Sequence, residues 1–226
     1  MWSVSTDPLD FDEAIAWHRA RAPLSKQAWD ALTEAAQKKA FTVANVTQLD
    51  LVTQVWDAVD SALKQGLPFE DFKRSVGDGL ERAWQGTVAN PAARLEVIFR
   101  TNLQIAYGAG RYARATEPDV LAERPFWLFD AILDARTSEI CEECDGTVRP
   151  ADDAWWREHQ PPLHHQCRSS FTTLTAEQAH ELGGVSVAPK AKASSGFGLA
   201  SPAHDWAPKE QGYPPELWAQ FEAKHR

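Results

Sequence analysis

Two short cysteine motifs, Cys141-Glu-Glu-Cys144 and His164-His165-Gln-Cys167, constrain this chain more than any other feature. A Cys-x-x-Cys turn presents two thiolates on one side of a tight loop, and a His-x-x-Cys turn can complete a tetrahedron around a metal ion. All three cysteines of the chain fall in these motifs. We therefore predict structural zinc bound by Cys141, Cys144, His164 and Cys167, with His165, and after it His159, as the alternative imidazole. The alternatives to a metal site are ordinary buried cysteines or a redox pair of Cys141 with Cys144. Iron suits the same thiolates.

Cysteine count and charge narrow the classes of protein further. Three cysteines cannot all pair within one chain, and the first residues show no secretory signal, so we expect a reducing compartment and no disulfide framework. The 23 Lys and Arg residues against 32 Asp and Glu give a formal net charge of -9, so any contact with nucleic acid must be local. No apolar run approaches about 18 residues, and we expect no membrane span.

Residues 1–117 predict a helical region, because apolar residues recur at helical spacing in five segments. Thr47 is the predicted N-cap of the third helix. Asn90-Pro91 is a typical helix start and opens a long fifth helix. His18 interrupts the apolar stripe of the first helix, and we expect a half-buried structural histidine there.

Four arginines on the predicted long helix, against a single acid, form a candidate basic strip for phosphates or an acidic partner. They are Arg94, Arg100, Arg111 and Arg114. The alternative is an ordinary solvated helix face.

Residues 118–182 predict a small α+β module that carries the cysteine motifs, so the fold class is α+β and predominantly helical. The apolar run at 126–133 predicts a buried strand, and residues 170–174 predict a second one. Trp155 and Trp156 fit no helical pattern, and we predict that they contact another chain.

Residues 183–226 lose periodicity and collect Gly, Ser, Pro, Ala and Lys, which predicts a linker or extended arm. The last residues predict a short amphipathic helix with Leu217, Trp218 and Phe221 on one face. An isolated helix of this length is marginal in water. We therefore predict that this face, together with Trp206, docks on another chain.

Further residues near the cysteine motifs match the pattern of a known family. They are Arg100-Thr101, Asp134-x-Arg136-Thr137-Ser138, Cys141-x-x-Cys144-x-Gly146, and Pro161-Pro162-x-His164-x-x-Cys167-Arg168. On these residues the chain resembles the phage Mu F-like head morphogenesis, or minor capsid, protein family. Two positions depart from the family pattern: His165 stands where proline is common, and Ser169 stands where a further cysteine is frequent.

The resemblance implies a virion protein that is made in the host cytoplasm and placed in few copies inside the capsid near the portal. It implies portal and capsid proteins as partners, with a role in head assembly and in DNA packaging or ejection. We therefore favour a phage head protein that is not an enzyme. The alternatives are a zinc-dependent nuclease-like enzyme or toxin that uses His165 as a base, and a cytoplasmic zinc-ribbon adaptor unrelated to phage.

Charged residues next to the two motifs predict structural support for the metal site. Asp134 and Arg136 can form a carboxylate–guanidinium pair, and the Thr137 hydroxyl can cap the first motif. Arg168 directly follows Cys167, and we expect it to bond a backbone carbonyl or Asp134.

Overall fold

The structure, a computed structural model, describes residues 12–30, 40–43, 46, 48–194, 197–198, 215 and 219. Four predicted docking residues lie outside this described part: Trp206, Leu217, Trp218 and Phe221. Thr47, the predicted cap, lies outside it as well. Within the described residues, no helix has the length and apolar character needed to cross a membrane.

The first region is helical, as its apolar periodicity predicts. Its helices are α1 (Asp12–Arg19), α2 (Lys26–Asp30), α3 (Leu49–Gln65), α4 (Phe69–Ala83) and α5 (Pro91–Ala115). Two short strands, β1 (Ala22–Pro23) and β2 (Ala40–Phe41), pair in parallel beside them. The predicted start of the long helix α5 is confirmed, because the Asn90 side chain accepts a hydrogen bond from the Ala93 N–H at 3.1 Å. Helix α3 has Gln48 at its N-cap position.

Apolar faces of these helices meet in one core. Val52, Val55 and Val59 of α3 are fully buried, and so are Leu80 and Trp84 at the end of α4. Such a stripe of branched and aromatic side chains is the main source of stability for helices of this length. His18 of α1 lies in the same region and is fully buried rather than half-buried.

The second region contains a three-stranded antiparallel sheet in the order β4-β3-β5. The strands are β3 (Phe126–Asp130), β4 (Val148–Pro150) and β5 (Ser170–Leu174), and the helices are α6 (Pro118–Glu123), α7 (Glu139–Cys144), α8 (Trp156–His159) and α9 (Ala176–Glu181). Strand β5 has the predicted bounds. Strand β3 ends earlier than the apolar run, because Ile132 and Leu133 lie in an exposed loop. Strand β4 was not predicted.

A second core fills the space between the sheet, the cysteine motifs and the last turns of α5. Trp127, Trp156 and Phe171 pack against one another in it, with ring centroids 4.6 to 5.9 Å apart. Trp155 stacks on His159 at 4.2 Å. The prediction that Trp155 and Trp156 contact another chain is therefore wrong, because both side chains are buried inside this one.

The segment at residues 185–198, here called the strap, lies along the second region wherever the structure describes it. Its backbone N–H groups at Lys190 and Ala191 both donate to Glu143 at 3.0 Å. The Trp155 indole donates to the Pro189 carbonyl at 3.2 Å. This part of the predicted linker is extended, but it is held on its own domain by hydrogen bonds.

Candidate metal centre

The first motif is presented by the short helix α7, whose N-cap is Ser138. The Ser138 hydroxyl accepts from the Cys141 N–H at 3.3 Å, which satisfies a backbone donor of the first turn. The prediction that Thr137 caps this motif is corrected, because its hydroxyl donates to the Ile132 carbonyl at 2.6 Å. Thr137 closes the preceding loop, and Ser138 fixes the start of the helix that carries Cys141.

The second motif lies on a loop that rests on the long helix α5. The loop begins with a cis peptide bond between Pro161 and Pro162. A Cβ atom on Gly108 of α5 would lie 2.6 Å from the Pro161 carbonyl oxygen, so only glycine allows this approach. The Thr101 hydroxyl of α5 also accepts from the Gln166 N–H at 3.4 Å. These contacts hold the loop that carries His164 and Cys167.

The structure brings three of the four predicted ligands together. Within the described residues, the donor atoms of Cys141, His164 and Cys167 all lie within 4.8 Å of one another. The Cys141 sulfur is 3.6 Å from the Cys167 sulfur and 3.2 Å from His164 Nε2. In a tetrahedral zinc site with bonds of about 2.3 Å to sulfur and about 2.0 Å to nitrogen, these separations are about 3.8 Å and about 3.5 Å. The cluster, here called the Cys-His-Cys cluster, therefore fits one zinc ion.

The imidazole of His164 is oriented as a metal ligand requires. Its Nδ1 lies 2.8 Å from the His165 carbonyl oxygen, which can only accept a hydrogen bond, so Nδ1 carries the proton. In the neutral ring, Nε2 then holds the lone pair, and it lies 3.2 Å from the Cys141 sulfur and 2.8 Å from the Ser138 hydroxyl. A second hydrogen bond of this kind commonly fixes the tautomer of zinc-bound histidines.

The two thiols of the cluster have different pKa values because they hydrogen-bond to each other. The hydrogen bond from Cys141 lowers the pKa of Cys167 to about 4, and His164 and the backbone at Leu163 add to this effect against burial. The same contact with Cys167, followed by burial, raises the pKa of Cys141. The hydrogen bond with Cys167 also raises the pKa of His164. The cluster thus stabilises a thiolate, which is the form of cysteine that binds a metal.

Cys144 is not part of the Cys-His-Cys cluster. It lies at the end of α7, is fully buried, and packs in the second core. Burial, followed by the charges of Glu143 and Cys167, raises the pKa of the Cys144 thiol to about 12. In this arrangement Cys144 has the environment of an apolar core residue.

Asp134 and Arg168 join the two motifs through a bidentate ion pair. Arg168 donates to both carboxylate oxygens of Asp134, at 2.7 and 2.5 Å. The Arg168 guanidinium, followed by the Arg136 N–H, holds the pKa of Asp134 well below its usual range. The Arg136 guanidinium, in contrast to its backbone N–H, lies 3.8 Å from the Asp134 carboxylate. The expected pairing of Arg168 with Asp134 is thus present, and Arg136 is a secondary partner.

His165, the alternative ligand and the candidate base, lies outside the Cys-His-Cys cluster. Its ring packs edge-on against Phe197 of the strap at 4.8 Å. Burial, followed by the charge of Arg94, lowers the pKa of His165. The arrangement assigns this side chain a packing contact with the strap.

The four arginines of α5 do not form one strip. Arg100 and Arg114 make exposed ion pairs with Glu96 and Glu117, each at 2.7 Å. Arg111 donates to the Phe171 carbonyl of β5 at 3.2 Å. Arg94 lies near His165 instead. Because successive residues turn about 100° around a helix, Arg94 is on a different side of α5 from the other three.

Several parts of the site were given no role there by sequence reasoning. They are Ser138, Glu143, Gly108 and the strap. A Ser three residues before a cysteine is a detectable N-cap signal, since Ser is favoured at that position. Gly108 and Glu143 act through neighbours far away in the chain, and local spacing carries no signal for such contacts.

Comparisons with known proteins agree on one family. The family model described as "Phage Mu protein F like protein" matches residues 53–172, which include most of α3, all of α5 and both cysteine motifs. The chain is 31% identical over 186 residues to the "Putative capsid assembly protein F" of Escherichia phage Mu, covering 76% of this chain and 42% of that protein. It is 29% identical over 157 residues to the "Mu-like prophage FluMu F protein" of Haemophilus influenzae, covering 65% of this chain and 37% of that protein.

The matches cover less than half of each relative, so they do not assign the function of a whole relative to this chain. The chain spans about two fifths of the length of both curated relatives. No solved structure matches the chain.

Proposed function

The chain belongs to the Phage Mu protein F like family, and on that basis we propose that it is a minor head protein that acts in phage head morphogenesis. The observation that carries this proposal is the 31% identity, over 76% of the chain, to a protein named as a putative capsid assembly protein. Head assembly needs a protein that offers rigid surfaces to other subunits. A domain braced by the 25-residue helix α5 and by a metal site suits that need.

In finer detail, we propose that the protein lies inside the capsid near the portal and assists DNA packaging or ejection, after synthesis in the host cytoplasm. Its partners are portal and capsid proteins, contacted through the C-terminal residues Trp206, Leu217, Trp218 and Phe221. Exposed Arg100 and Arg114 are the residues of α5 best placed to meet an acidic partner or packaged DNA. The proposed role is structural rather than enzymatic, which is supported by the packing of His165 against Phe197.

We also propose that the Cys-His-Cys cluster binds structural zinc through Cys141, His164 and Cys167. A bound zinc ion supplies bonds between helix α7 and the loop on α5, and such bonds contribute directly to folding. The chain's own residues orient the donors: Ser138 fixes α7, the His165 carbonyl fixes the His164 tautomer, and Arg168 ties the two motifs to each other.

The test of the head protein proposal is mass spectrometry of purified particles from the phage that encodes the chain. We expect the protein in few copies per particle, protected from added protease until the capsid is opened. A deletion of the gene should lower the yield of filled heads. Particles that lack the protein, together with a normal yield from the deletion, would contradict the proposal.

A further inference from the structure

The Cys-His-Cys cluster supplies three donors, whereas a tetrahedral ion has four positions. Cys144, the residue that the motif offers for the fourth, lies outside the group of donor atoms, although all three cysteines pack in the second core. Cys141 and His164 also line a hollow on the surface, which Cys144 does not. The cluster therefore has one side closed by the core and one side open to the outside.

The hollow beside the cluster is lined by two arginines. Arg136, Arg168, Gln166 and Ser138 contribute to its lining. The charge of Arg168 is matched by Asp134 through two hydrogen bonds. Arg136 has a side chain that is 78% exposed and lies 3.8 Å from the nearest Asp134 oxygen. Its positive charge is therefore the least compensated one at the hollow.

The charge of the ligand set favours an anion at the remaining position. A divalent ion with two thiolates and one neutral imidazole has no net charge, so an added anion brings the site to a single negative charge beside Arg136. A carboxylate suits both the zinc ion and Arg136, because its oxygen binds zinc at about 2.0–2.2 Å and its geometry matches the guanidinium group.

We propose that this chain holds the ion with Cys141, His164 and Cys167 alone, and that the fourth coordination position opens on the hollow and takes a carboxylate from outside the domain. Cys144 is then a core residue. The inference rests on the proposed metal site and departs from a closed site of four protein ligands. It makes the centre an attachment point for an exchangeable ligand as well as a structural tie.

Cobalt substitution of the full chain tests which cysteines bind. Co²⁺ reports thiolate ligands by charge-transfer absorption and tetrahedral geometry by its visible bands. Cys144→Ser should keep the charge-transfer intensity per bound ion and the affinity within about threefold, since it removes no ligand. Cys141→Ser, the matched change on the same helix, should lose about half of that intensity and weaken binding by more than about a hundredfold. An equal loss of thiolate absorption in both variants would overturn the inference.

Acetate then probes the fourth position. Adding acetate at constant ionic strength, with chloride as the control salt, should shift the visible bands of the cobalt-loaded chain. Arg136→Ala should weaken this response by about two- to fivefold, since an ion pair made by an exposed side chain is worth up to about 1 kcal/mol, whereas Arg157→Ala on the exposed side of α8 should not. Bands that ignore acetate would overturn the inference.

The bands before and after acetate addition report the source of the carboxylate. Bands that depend on protein concentration before acetate is added identify a side chain of a second copy, and bands that change only when acetate is added identify a free carboxylate.

Two further outcomes separate the inference from the proposals it rests on. If the chain binds cobalt through three thiolates, the proposed metal site stands and this inference is wrong. A chain that binds neither cobalt nor zinc removes both.

Discussion

Two histidines of this chain show how the surroundings of a single residue decide its chemistry. His18 is fully buried, is stacked on Trp56 at 4.8 Å, and donates from Nε2 to the Trp56 carbonyl at 3.0 Å. Burial, followed by the charge of Arg21, lowers the pKa of His18 to about 4. His164 instead lies beside a thiolate that raises its pKa. The first is a neutral core residue, and the second is poised to bind a metal or a proton.

Burial of neutral His18 predicts a loss of stability in acid. The unfolded chain binds a proton on this histidine near pH 6.5, whereas the folded chain binds it only near pH 4. The stabilisation is therefore complete above pH 6.5 and is lost as the pH falls from 6.5 to 4, by about 3 kcal/mol in total. Urea unfolding at pH 7 and at pH 4.5 should show this loss in the wild type and a smaller loss in His18→Gln. Equal losses in the two proteins would show that protonation of His18 does not cause the loss of stability in acid.

The ion pair between Asp134 and Arg168 predicts a second effect at this scale. Arg168→Lys keeps the charge but loses the two parallel hydrogen bonds to the carboxylate. We expect zinc affinity to fall about tenfold, which is the lower end of the effect for residues that orient metal ligands. A competition titration with a zinc-binding dye measures it. Arg74→Lys, an exposed residue of α4, is the matched control and should leave the affinity unchanged.

Sequence reasoning at the residue scale worked where the information was local. The spacing of two motifs predicted that Cys141, His164 and Cys167 come together, and their donor atoms lie within 4.8 Å of one another. The same spacing placed Cys144 with them, but Cys144 lies outside this group of donor atoms. Packing decides which cysteine sulfurs come together. The spacing of a motif alone does not contain this information.

The main structural element is the long helix α5, which takes part in both cores. It meets α1 at Gly110, where a Cβ atom would lie 2.7 Å from the Ala14 nitrogen. It meets the Pro161 carbonyl at Gly108 in the same manner. Each glycine lets a neighbouring backbone approach the helix more closely than any larger residue allows.

A pair of glycine substitutions tests these approaches. Gly110→Ala should destabilise the protein by about 1–3 kcal/mol, because α1 has to move away from α5. Gly77→Ala in α4 meets only ordinary contacts at 3.5 and 3.7 Å, so it should stabilise by up to about 1 kcal/mol through helix propensity. Thermal unfolding compares them. A stabilising Gly110→Ala would show that the α1–α5 contact is looser than described.

Periodicity predicted the helices well and the strands less well. Helices α3, α4 and α5 are long enough for an apolar stripe to repeat, and the Asn90 cap is a local signal. Strand β4 has three residues, Val148–Pro150, so no alternation can be read from it. The end of β3 depends on where the sheet stops, which is why Ile132 and Leu133 were assigned to a strand although they are exposed.

At the scale of the whole molecule, hydrogen bonds join the strap to both cysteine motifs. Glu143, between the two cysteines of the first motif, accepts from two strap N–H groups, and the Ser194 N–H donates to the Leu163 carbonyl next to the second motif at 2.9 Å. Composition predicted an extended segment here but could not predict where it packs. Glycine and serine content indicates chain flexibility, whereas the packing position depends on hydrogen-bond donors and acceptors of the folded domain.

Two truncations separate the strap from the residues that follow it. Removing residues 199–226 should leave the melting temperature within about 2 °C of the full chain but weaken incorporation into heads. Removing residues 185–226 should lower the melting temperature by at least about 5 °C, because several hydrogen bonds worth about 1 kcal/mol each are lost and Trp155 is uncovered. Equal melting temperatures for the two truncations would show that the strap does not stabilise the domain.

The zinc edge X-ray absorption spectrum of the full chain, purified with zinc, tests the metal centre most directly. We expect one zinc per chain with two sulfur neighbours at about 2.3 Å and nitrogen or oxygen neighbours at about 2.0–2.1 Å. His164→Ala should lower the zinc content. A chain that retains almost no zinc, or one whose zinc has no sulfur neighbours, would contradict zinc binding by Cys141, His164 and Cys167.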